Sequence, residues 1–93
     1  MPIDDQLRAE TRDLLQAVLA WTASRASWDQ AGEILTAMNA ALDAEDPTAL
    51  DAAIARLEDL DPHRATDGNA GPRTPPPAPV RDRLNETIHK IGK

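Results

Sequence analysis

The chain of 93 residues has no cysteine, no phenylalanine and no tyrosine, and its entire aromatic content is Trp21 and Trp28. Without cysteine there is no disulfide framework, no thiol nucleophile and no thiolate metal site, which suits a reducing cytosol. Without Phe or Tyr, core bulk is scarce. Leu, Ile and Val together number 17, no more than the 17 alanines, so any core must be thin and built from alanine-spaced helix contacts around the two indoles. Long apolar runs are missing too: the longest, Ala17-Val18-Leu19-Ala20-Trp21, falls far short of the roughly 20 residues of a membrane span. The opening Met1-Pro2-Ile3-Asp4-Asp5 is acidic where a secretory leader would be basic and then greasy. These features lead us to expect a cytoplasmic protein with no membrane partner. The length fits one small domain and excludes a multi-domain enzyme or a large nucleotide-binding sheet.

Positive charge is also in short supply, with 10 Lys and Arg against 16 Asp and Glu for a net charge of −6. Its distribution is uneven. Residues 1–61 hold 13 acidic residues against 4 arginines, whereas residues 62–93 hold 6 basic residues against 3 acidic ones. An acidic body repels a phosphate backbone, so nucleic acid is not an expected partner.

What is present is helical periodicity. Leu7, Leu14, Leu15, Val18, Leu19 and Trp21 return to one face and predict a helix from about Asp4 to Ala23. Ser27 with Gln30 three residues on reads as a capping box for a second helix, whose stripe is Trp28, Ala31, Ile34, Leu35, Met38, Ala41 and Leu42. Gly32 inside it would cost about 1 kcal/mol relative to Ala, which predicts a neighbouring helix in close approach. Asp46-Pro47 opens a third helix lined by Leu50, Ala53, Ile54, Leu57 and Leu60. Its connection to the second is so short that the two must form an antiparallel hairpin.

The composition changes after Pro62. Thr66-Asp67-Gly68-Asn69-Ala70-Gly71-Pro72 is breaker chemistry, and Pro75-Pro76-Pro77-Ala78-Pro79 favours polyproline II, a spacer or a Pro-x-x-Pro ligand. Val80, Leu84, Ile88 and Ile91 then mark a short fourth helix ending at Gly92. The expected architecture is therefore all-α: an acidic three-helix bundle over residues 1–61, a Pro/Gly-rich linker over 62–78, and a basic C-terminal helix over 79–93 that docks on the bundle or on a partner. Fewer than about 12 to 15 residues rarely hold as a helix alone in water, so this last helix needs a surface.

Chemistry has few candidates. His63 and His89 have no His-x3-His or Cys partner for a metal, and no metal or other cofactor is expected. Asp59-Leu60-Asp61 starts like a calcium loop, but Arg64 stands where Gly is needed and Ala70 where a bidentate Glu is needed. Gly68-Asn69-Ala70-Gly71 lacks the strand, lysine and helix of a phosphate cradle. No hydroxyl lies beside an oriented base, so no enzyme is expected. Trp21 and Trp28 are either core anchors with their indole N–H groups at the edge or, one of them, a partner hot spot.

The order of these signals resembles a known family. Ser27-x-x-Gln30 with Trp28, Ile34-Leu35-x-x-Met38-x-x-Ala41-Leu42, Asp46 to Leu50, Ala53-Ile54-x-x-Leu57-Glu58 and, most distinctive, Val80-Arg81-x-Arg83-Leu84-Asn85-x-x-Ile88-His89 are similar to the small proteins associated with CATRA (caspase and TPR repeat associated) systems of actinobacteria. The resemblance spans residues 21 to 91. It implies a non-catalytic accessory or adaptor protein of a bacterial conflict system, whose partners are proteins encoded nearby with caspase-like or TPR domains. The partner-binding residues are then expected to be Arg81, Leu84, Asn85, Ile88, His89 and Ile91, with Trp21 and Trp28 on the body, and a homodimer is a further option. An antitoxin-like or regulatory subunit that masks a partner would share the acidic body and docking tail. A type VII secretion substrate would share the hairpin, but Trp21-Thr22-Ala23 departs from its Trp-x-Gly turn.

Overall fold

The structure is a computed structural model and describes residues 3–61 and 73–92. Asp4 opens α1 (Asp5–Leu19), its carboxylate accepting the Leu7 N–H at 2.7 Å and so satisfying one of the donors that a helix start leaves unpaired. The helix ends before the expected Ala23. Ala20 and Trp21 donate to the carbonyls of Ala17 and Val18, a tight last turn, and Ala23 instead pairs with Thr74 in a single antiparallel bridge.

The second helix, α2 (Arg25–Asp43), begins earlier than the sequence suggested. Ser24 is its cap, with Oγ accepting the Ser27 N–H at 3.2 Å. Ser27 therefore lies inside the first turn and forms no capping box with Gln30. The physical reason is local: nothing in Ser24-Arg25-Ala26 breaks a helix, and Ser24 offers the same capping oxygen three residues sooner, so extra turn is gained without losing a cap. At the other end Glu45 takes φ 50°. Its N–H reaches the Leu42 carbonyl and that of Asp46 the Ala41 carbonyl, a Schellman closure made without the usual glycine. Asp46 then caps α3 (Pro47–Asp59) through the Ala49 N–H at 3.1 Å, with Pro47 at its start as the sequence predicts. The last helix is α4 (Ala78–Ile91), which has no side-chain cap at its start and ends at Gly92.

Most of the expected linker, including His63 and the Thr66–Pro72 stretch, lies outside the described residues. Residues 73–77 are non-helical, and Ala78 already belongs to α4.

All four helices contribute to one core, with Leu15, Trp28, Leu35, Met38, Leu50, Leu57 and Leu84 at its centre. The main helix pairs are α2 with α3, α2 with α4, and α1 with α4. Thus α1 leans chiefly on α4 rather than on the α2–α3 hairpin, and the C-terminal helix is packed inside the bundle. Contacts rising in step, Arg83 to Thr36, Thr87 to Asn39 and Lys90 to Asp43, show that α4 runs parallel to α2. Ile3, Asp5 and Arg8 sit beside Ile91 and Gly92, so α1 runs antiparallel to α4.

Gly32 does not mark a close approach. A Cβ built there would meet nothing within 4 Å, which corrects the expectation of tight helix packing at that position. Among the described residues, no helix is long and apolar enough to cross a membrane.

Candidate functional site

The helix α4 has an inner face, a clamp at its entrance and an outer face. Inward point Leu84 and Thr87, both fully buried, and Ile91; Val80 and Ile88 are half-buried against the same core. The seat on α2 is polar at one point. Thr87 Oγ1 lies 2.8 Å from the Arg83 carbonyl and 3.0 Å from Asn39 Oδ1, although the hydroxyl has a single proton to donate. Asn39 Nδ2 is buried without a partner among the described residues. Turning the amide over resolves both facts: Nδ2 donates to Thr87 Oγ1 while the hydroxyl donates to Arg83. A buried polar pair is matched in only one register, and it fixes how α4 lies along α2.

This arrangement gives a thermodynamic prediction. Thr87→Val should strand the Asn39 amide and cost about 1 to 3 kcal/mol, whereas Asn39→Leu combined with Thr87→Val should recover most of that loss, because removing both partners leaves no unpaired group. Denaturant titrations of the two single variants and the double variant read the coupling directly.

The clamp lies just before α4. Thr74 exchanges backbone hydrogen bonds with Ala23 at 2.8 and 2.9 Å, and its carbonyl also accepts the Trp28 indole N–H at 2.9 Å. The entrance to α4 is thereby tied to the α1–α2 connection and to the largest core side chain. Trp28 is 1% exposed and Trp21 8%, so both indoles are core anchors in the folded chain. Farther along, Lys90 pairs with Asp43 at 2.7 Å, an exposed contact worth no more than about 1 kcal/mol.

The outer face carries Arg81, Asn85 and His89, all exposed and spaced one turn apart, so they share one stripe. Of the expected partner-binding residues the structure therefore brings these three together on the surface, leaves Ile88 at their margin, and buries Leu84, Ile91, Trp21 and Trp28. Sequence reasoning missed Asn39, Thr74 and Thr87. Thr87 and Thr11 are buried because each hydroxyl bonds the carbonyl four residues back, which leaves a methyl group facing the core. Such a residue reads as polar in any hydropathy pattern.

A second concavity lies between the starts of α1 and α3, bordered by Asp4, Glu10 and Asp51. Asp4 is there as the cap of α1 and Glu10 accepts from Gln6 one turn before it, so both have a role within the fold. Among the described residues no group of three or more His, Asp or Glu side chains is placed to hold a metal ion.

The described residues form a small all-α protein with a polar stripe exposed along α4. The family model described as CATRA-Associated Small Protein matches residues 10–93, and the chain belongs to that family. No curated protein and no solved structure matches it.

Proposed function

We propose that this chain is a non-catalytic accessory protein of a CATRA system and binds a caspase-like or TPR-containing protein of that system through the outer stripe of α4. The observation that carries the reading is that Arg81, Asn85 and His89 are held in line, one turn apart, on the outside of a helix whose inner face is fully used by the fold. None of the three makes a side-chain hydrogen bond or ion pair to another described residue. A rigid helix presenting polar side chains loses little conformational entropy when it is bound, and Arg is enriched where partners contribute most binding energy.

The test is co-purification of the tagged chain with the caspase-like and TPR-containing proteins encoded beside it. Arg81→Glu with Asn85→Ala and His89→Ala should abolish capture while leaving the melting temperature within a few degrees of wild type, since exposed substitutions usually change stability by only about 0.5 kcal/mol. Undiminished capture by the folded triple variant would refute the assignment.

A further inference from the structure

We propose that the α2–α4 groove over Gly32 is a self-association surface, filled by a second copy of this chain. The groove has a volume of about 280 Å3 and opens between the start of α4 and the first half of α2. Gly32 lies in it without an intramolecular reason: its φ is not in the left-handed region, and an added Cβ would meet nothing within 4 Å. A mid-helix glycine facing open space is a notch shaped for something outside the fold. Level with it, across the groove, stands half-buried Val80.

The two walls are oppositely charged. Asp29 and Glu33 stand one turn apart on the α2 side, and neither carboxylate has an ion pair or hydrogen bond to a described residue. Like charges at this spacing repel. Arg83 is on the α4 side, in a single long contact with Thr36 Oγ1 at 3.4 Å. Because α2 and α4 run parallel, a two-fold axis directed along the groove lays the acidic wall of each copy over the basic wall of the other. The same operation sets Val80 of each copy over Gly32 of the other. A two-fold axis across the groove would instead oppose acid to acid, so the charge pattern selects one of the two face-to-face pairings. This surface is separate from the Arg81–Asn85–His89 stripe, and the proposal stands whether or not that stripe binds a partner.

Sedimentation equilibrium of the full chain from micromolar to millimolar concentration tests it. The wild-type mass should rise from one chain toward two, and less so in high salt. Gly32→Leu projects into the notch from a Cβ that meets nothing within 4 Å and should weaken association by roughly tenfold or more with no fall in melting temperature. Glu33→Arg and Arg83→Glu should each be monomeric alone, yet form a heterodimer when mixed, because both pairs between positions 33 and 83 are then attractive. A wild-type chain that remains single at millimolar concentration would overturn the proposal. So would a Gly32→Leu dimer as tight as wild type, or folded charge variants that fail to pair when mixed.

Discussion

Trp28→Ala is expected to destabilise the protein by about 3 to 5 kcal/mol, the range for removing a buried large aromatic side chain. For a domain of this size the total stability is roughly 5 to 14 kcal/mol on the general scale of 0.05 to 0.15 kcal/mol per residue, so one substitution would consume a large part of it. The effect has two sources that can be separated. Most comes from the void left at the centre of the core, where the indole is 1% exposed. The rest comes from the hydrogen bond to the Thr74 carbonyl, worth about 0.5 to 1.5 kcal/mol net. Trp28→Phe keeps most of the volume and deletes the donor together with the part of the ring that carries it. It should therefore cost much less than Trp28→Ala, and it should loosen the segment around Thr74 more than it loosens α3. Denaturant midpoints of the three proteins check the order; equal midpoints for Trp28→Phe and Trp28→Ala would show that the hydrogen bond, not the packing, dominates.

Leu84→Asp should have a still larger effect. Leu84 is fully buried on α4, the helix that packs against both α1 and α2. Truncating a buried Leu costs about 2 to 5 kcal/mol by itself, and a carboxylate in its place adds an unpaired buried charge. Because α1 has α4 as its main neighbour, the damage should spread: α1 loses its seat together with α4, while the α2–α3 hairpin retains more of its contacts. Far-ultraviolet circular dichroism should show loss of helix beyond the 14 residues of α4. Ile88→Asp, at a half-buried margin position, serves as the milder control. A Leu84→Asp protein with wild-type melting behaviour would mean that α4 is not part of the core.

The helices were readable because they depend on local signals. Asp46-Pro47 is a start that no tertiary contact needs to correct, and the stripe from Trp28 to Leu42 is buried as its spacing requires. Errors arose where two local solutions compete or where the decisive partner is remote. Ser24 and Ser27 are equivalent caps on paper, and the earlier one prevails because the intervening residues tolerate a helix. The end of α1 is set by Thr74, 51 residues from Ala23 along the chain, for which no window of sequence carries a signal. The place of α4 was hidden for a related reason. Its narrow apolar stripe left docking on the bundle and docking on a partner equally open, and the seat on the bundle is completed by Thr87, whose hydroxyl is satisfied within its own helix and by Asn39. Of the expected partner-binding residues, Arg81, Asn85 and His89 lie on the exposed face that helical spacing assigns to them, whereas Leu84 and Ile91 carry hydrophobicity that the fold itself uses.

The direct measurement is amide hydrogen exchange of the free 93-residue chain at low concentration, comparing residues 78–91 with α2. If α4 is a fixed member of the bundle that offers only its outer stripe, the amides of Leu84, Thr87 and Ile88 should exchange with protection close to that of Leu35 and Met38, since opening them requires disrupting the shared core. Exchange of residues 78–91 at the rate of an unstructured peptide, with α2 protected, would contradict this and show a tail that folds only when a partner captures it.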